Sequence, residues 1–299
     1  MIFYLLYRIG SFLALRLPVT VSYRIACMIA DVYQYVSEKD RDAVLNNLKT
    51  VLGNESHSDE ELTQMAKEVF RNFAKYLVDF FRFSKVDHDY IRRFVKIEGL
   101  NNIDEARSRG KGAILLSAHI GNWELGGFVL AMIGYPISAV VLTHQNKKIN
   151  DFFTHQRLLS NLKPIEIGIA LRSCYAALKG NNLLAVLGDR DFSKNGIHVD
   201  FFGRKTLLPK GPSVFSRRIG SAIVPTFMIR EKDDSFRLIM DKPIFPDASG
   251  EEDKAIETLT KKYLSVIEAY VRKYPTQWYM FREVWNNNDK KFLRPDTII

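Results

Sequence analysis

Residues 112–124 read GAILLSAHIGNWE, an apolar run followed directly by polar and aromatic residues. The run Ala113–Ala118 has the length and composition of a buried strand. Gly121 permits a tight turn, and Asn122 is a favourable N-cap for a helix that begins after it. The segment therefore predicts a buried strand that leads through a turn into a helix, with His119 at the strand exit.

The same alternation of apolar runs and amphipathic segments continues over residues 94–299, up to a long amphipathic helix near the end. Strands are predicted at Phe94–Glu98, Ala113–Ala118, Ile137–Leu142, Leu183–Leu187, Val199–Phe202, Ile223–Ile229 and Phe236–Met240. Helices are predicted near residues 101–109, 122–134, 147–161, 170–179, 211–219 and 252–273. This alternation predicts one α/β domain with a mostly parallel central sheet flanked by helices.

Residues 1–36 are strongly apolar, but an arginine interrupts them every eight residues and Pro18 divides them. A spanning helix needs about 20 mostly apolar residues, and no window here reaches that length without a charge. We therefore expect two short helices, near 2–16 and 19–36, that form an apolar anchor in the membrane interface. A buried helix pair and a single distorted span are the alternatives.

Residues 37–93 are expected to form a helical appendage packed on the core. Ser58 and Glu61 have the spacing of a capping box at a helix start. Apolar residues then recur at helical spacing from Leu62 to Phe81, which predicts an amphipathic helix whose bulky stripe packs on the domain.

The chain carries 43 Lys and Arg against 34 Asp and Glu, for a formal net charge of +9. Residues 1–30 hold three arginines and no acid, and residues 201–230 hold six cations and no acid. This excess favours an anionic partner, such as a membrane surface, a phosphorylated substrate or an acidic protein. No nucleic-acid-binding module is visible, so a nucleic-acid partner is not expected.

Open α/β sheets carry their sites at the carboxyl ends of strands. His119 lies at such an end, and Glu124 falls in the first turn of the next helix, so the pair predicts a general base held by a carboxylate. A merely structural pair is the alternative. Asp189 and Asp191 follow another buried strand.

Two other kinds of site are not expected. No second His or Cys lies at ligand spacing from His119, HExxH is absent, and only two cysteines occur, so no metal is predicted. A serine nucleophile is disfavoured because no G-x-S-x-G elbow follows a strand.

The block SAHIGNWE resembles the H-x4-D/E block of the glycerolipid acyltransferase superfamily. Its full HxGNWE form is similar to that of the bacterial lipid A biosynthesis (lauroyl/myristoyl) acyltransferases. The apolar N-terminus and further blocks match the same family in order and spacing. These blocks are GKGAILLSAH, GDRDF at 188–192, the segment 199–225 and PTQWYMFREVW at 275–285.

The resemblance implies acyl transfer from an acyl-carrier-protein or acyl-CoA thioester to a hydroxyl of a lipid A precursor, without a cofactor. The reaction would take place at the cytoplasmic face of a bacterial inner membrane. His119 would take the hydroxyl proton and Glu124 would orient His119. Arg157 would donate to the oxyanion of the thioester carbonyl; an exposed helix charge is the alternative reading of Arg157.

The resemblance also implies a set of substrate-binding residues, in which Arg204 and Lys205 would meet a phosphate. The set is Asn122, Trp123, Asp189, Arg190, Asp191, Phe202, Gly203, Arg204 and Lys205. The family usually has Asp-Gln-Asp or Asp-His-Asp where this chain has Asp189-Arg190-Asp191. The acceptor is therefore open, and a phosphatidylinositol mannoside, another glycolipid or a lysophospholipid is an alternative. A non-catalytic membrane-binding module is the alternative from a different class.

Overall fold

The apolar run of the quoted segment forms strand β2, Ala113–Ser117, inside a seven-stranded sheet. The computed structural model describes residues 2–53, 57–167, 170–191, 195–247 and 249–285. The other strands are β1 Val95–Glu98, β3 Ile137–Val141, β4 Lys163–Glu166, β5 Leu183–Leu187, β6 Ile197–Phe201, β7 Arg204–Leu208, β8 Ala222–Arg230 and β9 Phe236–Met240. The helices are α1 Ile2–Arg16, α2 Val19–Val36, α3 Glu38–Leu52, α4 Asp59–Phe81, α5 His88–Phe94, α6 Leu100–Arg107, α7 Trp123–Met132, α8 Lys147–Leu158, α9 Ala170–Lys179, α10 Gly211–Ile219 and α11 Glu252–Lys273.

The sheet has the strand order β1-β9-β8-β2-β5-β3-β4. Strands β8 and β9 pair antiparallel and the other neighbours pair parallel, which confirms the predicted, mostly parallel sheet. Ser117 of β2 lies opposite Leu187 of β5. His119 and Asp189 each follow these paired residues by two positions, so both leave the sheet at the same place.

Helices cover both faces of the sheet because β2 is apolar on both sides. Ala113 and Leu115 pack in one cluster with residues of α6, α7 and α8. Ile114 and Leu116 pack in a second cluster with residues of α9, α10 and α11. Burial of each of these isoleucine and leucine side chains stabilises the fold by about 1.5–3 kcal/mol.

The predicted helix after Ser58 is confirmed as α4, and both halves of its capping box are present. The Ser58 hydroxyl accepts from the backbone N–H of Glu61 at 3.2 Å, and the Glu61 carboxylate accepts from the backbone N–H of Ser58 at 2.8 Å. The stripe of α4 packs in two clusters, one with α2 and α3 and one with the sheet domain. The first of these clusters contains Ala30, Val44, Leu48, Leu62, Val69 and Phe70.

Helices α1 and α2 confirm the two predicted N-terminal helices, and both present large apolar side chains to the outside. These side chains are Phe3, Leu5, Leu6, Ile9, Phe12, Leu13, Val21, Ile25, Met28, Ile29, Val32 and Val36. Arg8, Arg16 and Arg24 are exposed on the same helices. Among the described residues, no helix combines the length and the apolar character needed to cross a bilayer.

Some elements differ from the predictions. The strand predicted at Val199–Phe202 is β6, which pairs antiparallel with the unpredicted β7 outside the main sheet. Strand β4 was also missed, because its sequence KPIE has one large aliphatic residue and a proline, which only an edge strand tolerates. Residues 286–299 of the expected α/β domain lie outside the described residues.

Candidate active site

The loop that carries His119 is fixed by main-chain contacts. Gly121 has φ 63°, and a Cβ there would lie 1.9 Å from the carbonyl oxygen of Met228 in β8, so only glycine fits. The backbone N–H of Gly121 donates to Gln277 O at 2.9 Å, and Tyr279 N–H donates to His119 O at 2.8 Å. The exit of β2 is thereby held between β8 and the C-terminal segment.

The structure pairs His119 with Asp189. His119 Nδ1 lies 2.8 Å from Asp189 Oδ1, and the backbone N–H of His119 donates to Asp189 Oδ2, also at 2.8 Å. Trp278 Nε1 donates to the same Oδ2 at 3.0 Å. Asp189 is 1% exposed and His119 is 8% exposed. The imidazole therefore has one nitrogen held by a buried carboxylate, while Nε2 has no hydrogen-bond partner among the described residues.

Electrostatics favour an ionised Asp189 beside a neutral His119. Burial raises the pKa of Asp189, but the attraction of His119 in its protonated form and the hydrogen bonds from His119 and Trp278 outweigh it, so this pKa lies below its usual value. Burial lowers the pKa of His119, against the opposing charge and hydrogen bond of Asp189. A carboxylate only accepts, so His119 Nδ1 carries the proton and Nε2 is free to take one.

Glu124 does not contact His119 as expected, because both of its carboxylate oxygens bind Arg157. Arg157 Nε and one terminal nitrogen of its guanidinium donate to Glu124 at 2.9 and 2.5 Å. The first turn of α7 directs Glu124 towards α8, whereas Nδ1 of His119 faces the end of β5. A nearly buried carboxylate takes the guanidinium because such a bidentate pair satisfies both groups.

Arg157 is 8% exposed, so the alternative reading as an exposed helix charge is wrong. Burial lowers the pKa of Arg157, but the charge and hydrogen bonds of Glu124 outweigh that effect and raise it above its usual value. The guanidinium also lies over the ring of Phe153, 5.8 Å from its centroid. Arg157 is therefore a fixed, permanently charged donor.

Trp123 and Asn122 were both predicted to bind substrate, but Trp123 lies beside the His119 ring and Asn122 is buried. Trp123 lies edge-on to the His119 ring, with centroids 5.2 Å apart, and stacks on Tyr76 at 4.5 Å. Asn122 is 1% exposed and caps α7 by accepting from Leu125 N–H at 3.1 Å. The Asn122 side chain therefore points into the protein, where it caps α7 and does not face a substrate as expected.

The Asp-Arg-Asp segment contributes one buried and two half-buried side chains. Asp189 was expected to contact substrate, but its carboxylate is occupied by hydrogen bonds with His119 and Trp278. Burial and the charge of Arg282 lower the pKa of Arg190 to about 9, with Asp189 opposing them. Asp191 is half-buried.

Phe202 and Gly203, which were expected to bind substrate, form the two-residue turn between β6 and β7. Phe202 and Gly203 have φ of 53° and 74°, as a type I′ turn requires. The ring of Phe202 is buried with its centroid 6.2 Å from that of Trp278, so it supports Trp278 and is not placed as a substrate contact. Gly203 is exposed at the turn.

Arg204 and Lys205 are exposed at the start of β7. The Arg204 guanidinium lies 5.9 Å from the ring centroid of Trp285. A cavity of about 320 Å³ adjoins it, lined by Asn46, Asn47, Lys49, Thr50, Arg204, Glu283 and Trp285. The two cations are therefore accessible to a ligand in solution or at a surface.

Sequence reasoning missed a second buried polar cluster, formed by Tyr23, Asp79 and Arg230 next to Asn122. One signal was available, because Asp79 interrupts the apolar sequence LVDFF at the end of α4. Within the part of the chain that the structure describes, no group of three His, Cys, Asp or Glu side chains could hold a metal ion.

Comparison with known proteins finds similarity to acyltransferases. The family model described as bacterial lipid A biosynthesis acyltransferase matches residues 1–287. A lipid A biosynthesis palmitoleoyltransferase of Escherichia coli K12 is 28% identical over 74% of this chain and 71% of its own. A phosphatidylinositol mannoside acyltransferase of Mycobacterium tuberculosis H37Rv is 24% identical over 72% of this chain and 68% of its own.

Proposed function

The chain belongs to the bacterial lipid A biosynthesis acyltransferase family, and from that premise we propose that it transfers a fatty acyl chain to a hydroxyl of a lipid A precursor. The donor is an acyl-carrier-protein or acyl-CoA thioester. The observation that carries the proposal is the open Nε2 of His119 at the carboxyl end of β2, with Nδ1 held by the buried carboxylate of Asp189.

In the proposed reaction, His119 is the general base. Its Nε2 takes the proton of the acceptor hydroxyl while the hydroxyl oxygen forms a bond to the thioester carbonyl carbon. The tetrahedral intermediate then breaks its C–S bond, and the proton on Nε2 passes to the departing thiolate. Asp189 holds the tautomer and stabilises the imidazolium, and such a base contributes on the order of 10²–10⁴ in rate.

Arg157 supplies the charge for the oxyanion in this proposal. The pair with Glu124 uses two of its N–H donors, at Nε and at one terminal nitrogen, and leaves the others for the substrate oxygen. Glu124 then acts by positioning Arg157 and not by orienting His119. The pair with Glu124 holds the Arg157 guanidinium rigid. A rigid donor needs little reorganisation when negative charge develops on the substrate oxygen.

The same chemistry on a phosphatidylinositol mannoside is the second candidate. Arg190 supports it, because this chain departs there from the family's usual Asp-Gln-Asp or Asp-His-Asp, and relatives named for that acceptor cover most of the chain. In either case we assign contacts with a lipid phosphate to Arg204 and Lys205, which are exposed cations.

We also assign α1 and α2 to the membrane interface at the cytoplasmic face of the inner membrane. Their exposed apolar side chains, together with the exposed arginines, fit an interfacial anchor in which the guanidinium groups meet lipid phosphates. Release from membranes by carbonate supports this placement, whereas resistance to carbonate would favour a span.

The test uses detergent-solubilised protein, an acyl-carrier-protein thioester and a panel of lipid acceptors, with products read by mass spectrometry. We expect one added acyl chain on a lipid A precursor, lost in His119→Ala and kept in the control His88→Ala, which changes an exposed histidine of α5. Addition only to another glycolipid would favour the second candidate. No addition to any acceptor by folded protein would overturn both.

A further inference from the structure

Four polar side chains meet inside the protein next to the loop that carries His119. Tyr23 comes from α2, Asp79 from the end of α4, Arg230 from the end of β8, and Asn122 from the loop itself. All four are buried. The cluster thus joins an N-terminal helix to the loop that carries the proposed base.

The carboxylate of Asp79 is the centre of this cluster. Its Oδ1 accepts from the Tyr23 hydroxyl, and its Oδ2 accepts from Arg230 and from Asn122 Nδ2, the last at 2.9 Å. Arg230 also donates to the Tyr23 hydroxyl at 3.2 Å. Gln277 holds the backbone of Arg230, with its side-chain oxygen 3.0 Å from Arg230 N.

Asn122 is the point at which the cluster reaches the loop. It follows His119 by three residues, and its Oδ1 caps α7 while its Nδ2 binds Asp79. Its backbone N–H donates to Met228 O at 2.7 Å. The Asp79 carboxylate is therefore the side-chain contact that fixes the amide of Asn122, and Tyr23 is one of the groups that fix the carboxylate.

Loss of the Tyr23 hydroxyl would remove one of the hydrogen-bond donors to the Asp79 carboxylate. A buried carboxylate needs its donors, because an unsatisfied charged acceptor is costly at low local dielectric. Without Tyr23, the carboxylate can turn further towards Arg230, which is its charged donor, and away from Asn122. A displaced Asn122 would release the start of α7 and shift His119 relative to Asp189.

We propose that Tyr23 and Asp79 are positioning residues that hold the His119 loop in its reactive geometry, so that the seating of α2 controls acyl transfer. This inference rests on the function proposed above. Tyr23 lies on the inner face of α2, whereas Val21, Ile25 and Met28 lie on the exposed apolar face of the same helix. The Tyr23 hydroxyl thereby connects a helix placed at the membrane to the polar cluster that holds the reactive loop.

The first test is Tyr23→Phe in the full chain, assayed as above at varied thioester concentration. We expect kcat to fall roughly 10- to 100-fold with KM for the thioester changed less than twofold, because a misplaced base affects the chemical step. Hydrogen exchange should rise in the segment 118–125. The matched control is Tyr33→Phe, which removes a hydroxyl-to-Asp40 bond of 2.5 Å from an exposed site on the same helix.

A second variant, Asp79→Asn, tests whether Tyr23 acts through Asp79. The double variant should have the kcat of Asp79→Asn alone, since two residues that act through one contact are not additive. A Tyr23→Phe protein that melts lower but keeps kcat within twofold of Tyr33→Phe would overturn the positioning role. If the wild type adds no acyl chain, the proposed function itself fails; if the wild type is active and both variants match it, only this inference fails.

Discussion

Replacement of Asp189 by asparagine tests which carboxylate serves His119. In the structure, Asp189 Oδ2 accepts two hydrogen bonds, from His119 N–H at 2.8 Å and from Trp278 Nε1 at 3.0 Å. In Asp189→Asn, the amide oxygen has to remain at that position to accept both donors. The amide NH2 then takes the place of Oδ1, 2.8 Å from His119 Nδ1.

This exchange reverses the tautomer of the imidazole. An NH2 group donates, so Nδ1 becomes the acceptor and the proton moves to Nε2, which can no longer act as a base. We expect kcat to fall by about 10³–10⁴, which corresponds to about 4–5.5 kcal/mol of transition-state stabilisation. The melting temperature should change little compared with Asp200→Asn, a control at an exposed aspartate of β6.

The pH profile separates Asp189 from Glu124. In the proposed mechanism, the rate depends on neutral His119 and rises with pH through the pKa of His119. The charge of Asp189 raises that pKa against burial, so Asp189→Asn moves the acid limb of kcat/KM to lower pH. Glu124→Gln weakens the hold on Arg157 and should lower kcat without moving that limb. A limb that moves in Glu124→Gln and stays in Asp189→Asn would refute the pairing.

Three further results are expected. Arg157→Lys keeps the charge but loses the fork, so kcat should fall by about 10²–10³ in steady-state assays; an unchanged kcat would exclude Arg157 from the oxyanion site. Gly121→Ala places a Cβ against a backbone carbonyl and should lower the unfolding free energy by about 1–3 kcal/mol. Gly110 also has a positive φ, but a Cβ there would meet no atom within 4 Å. Gly110→Ala should therefore lower the unfolding free energy by less. Met28→Asp should weaken sedimentation with anionic vesicles roughly tenfold, and Ser84→Asp should not.

The local parts of the fold were predictable from the sequence. The strand before His119 and the helix after Ser58 are specified by apolar period and by capping residues that act within a few positions. Strand β4 was not predictable, because its stability comes from pairing at the sheet edge and not from its own sequence. The turn at Phe202 was not predicted from the residue pattern, since a phenylalanine with positive φ is uncommon and the residue was assigned to a strand.

The pairing of the site residues was predicted less well. His119 and Asp189 are 70 positions apart, and only the adjacency of β2 and β5 brings them together. Glu124 is close to His119 in sequence, which made it the natural candidate, but the first turn of α7 directs it to Arg157. The partners of Asp79 could not be predicted from the sequence either, because they come from α2, β8 and the loop that carries His119.

The strand order also sets a sequence of events during synthesis. Strand β1 pairs with β9, and β2 pairs with β5 and β8, so the sheet cannot close until about residue 240 has left the ribosome. Helices α1 to α4 end at residue 81 and pack on one another through nearby segments. Non-local strand pairing is slow compared with such local packing. Helices α1 to α4 can therefore form and expose their apolar side chains well before the sheet that carries His119 is complete.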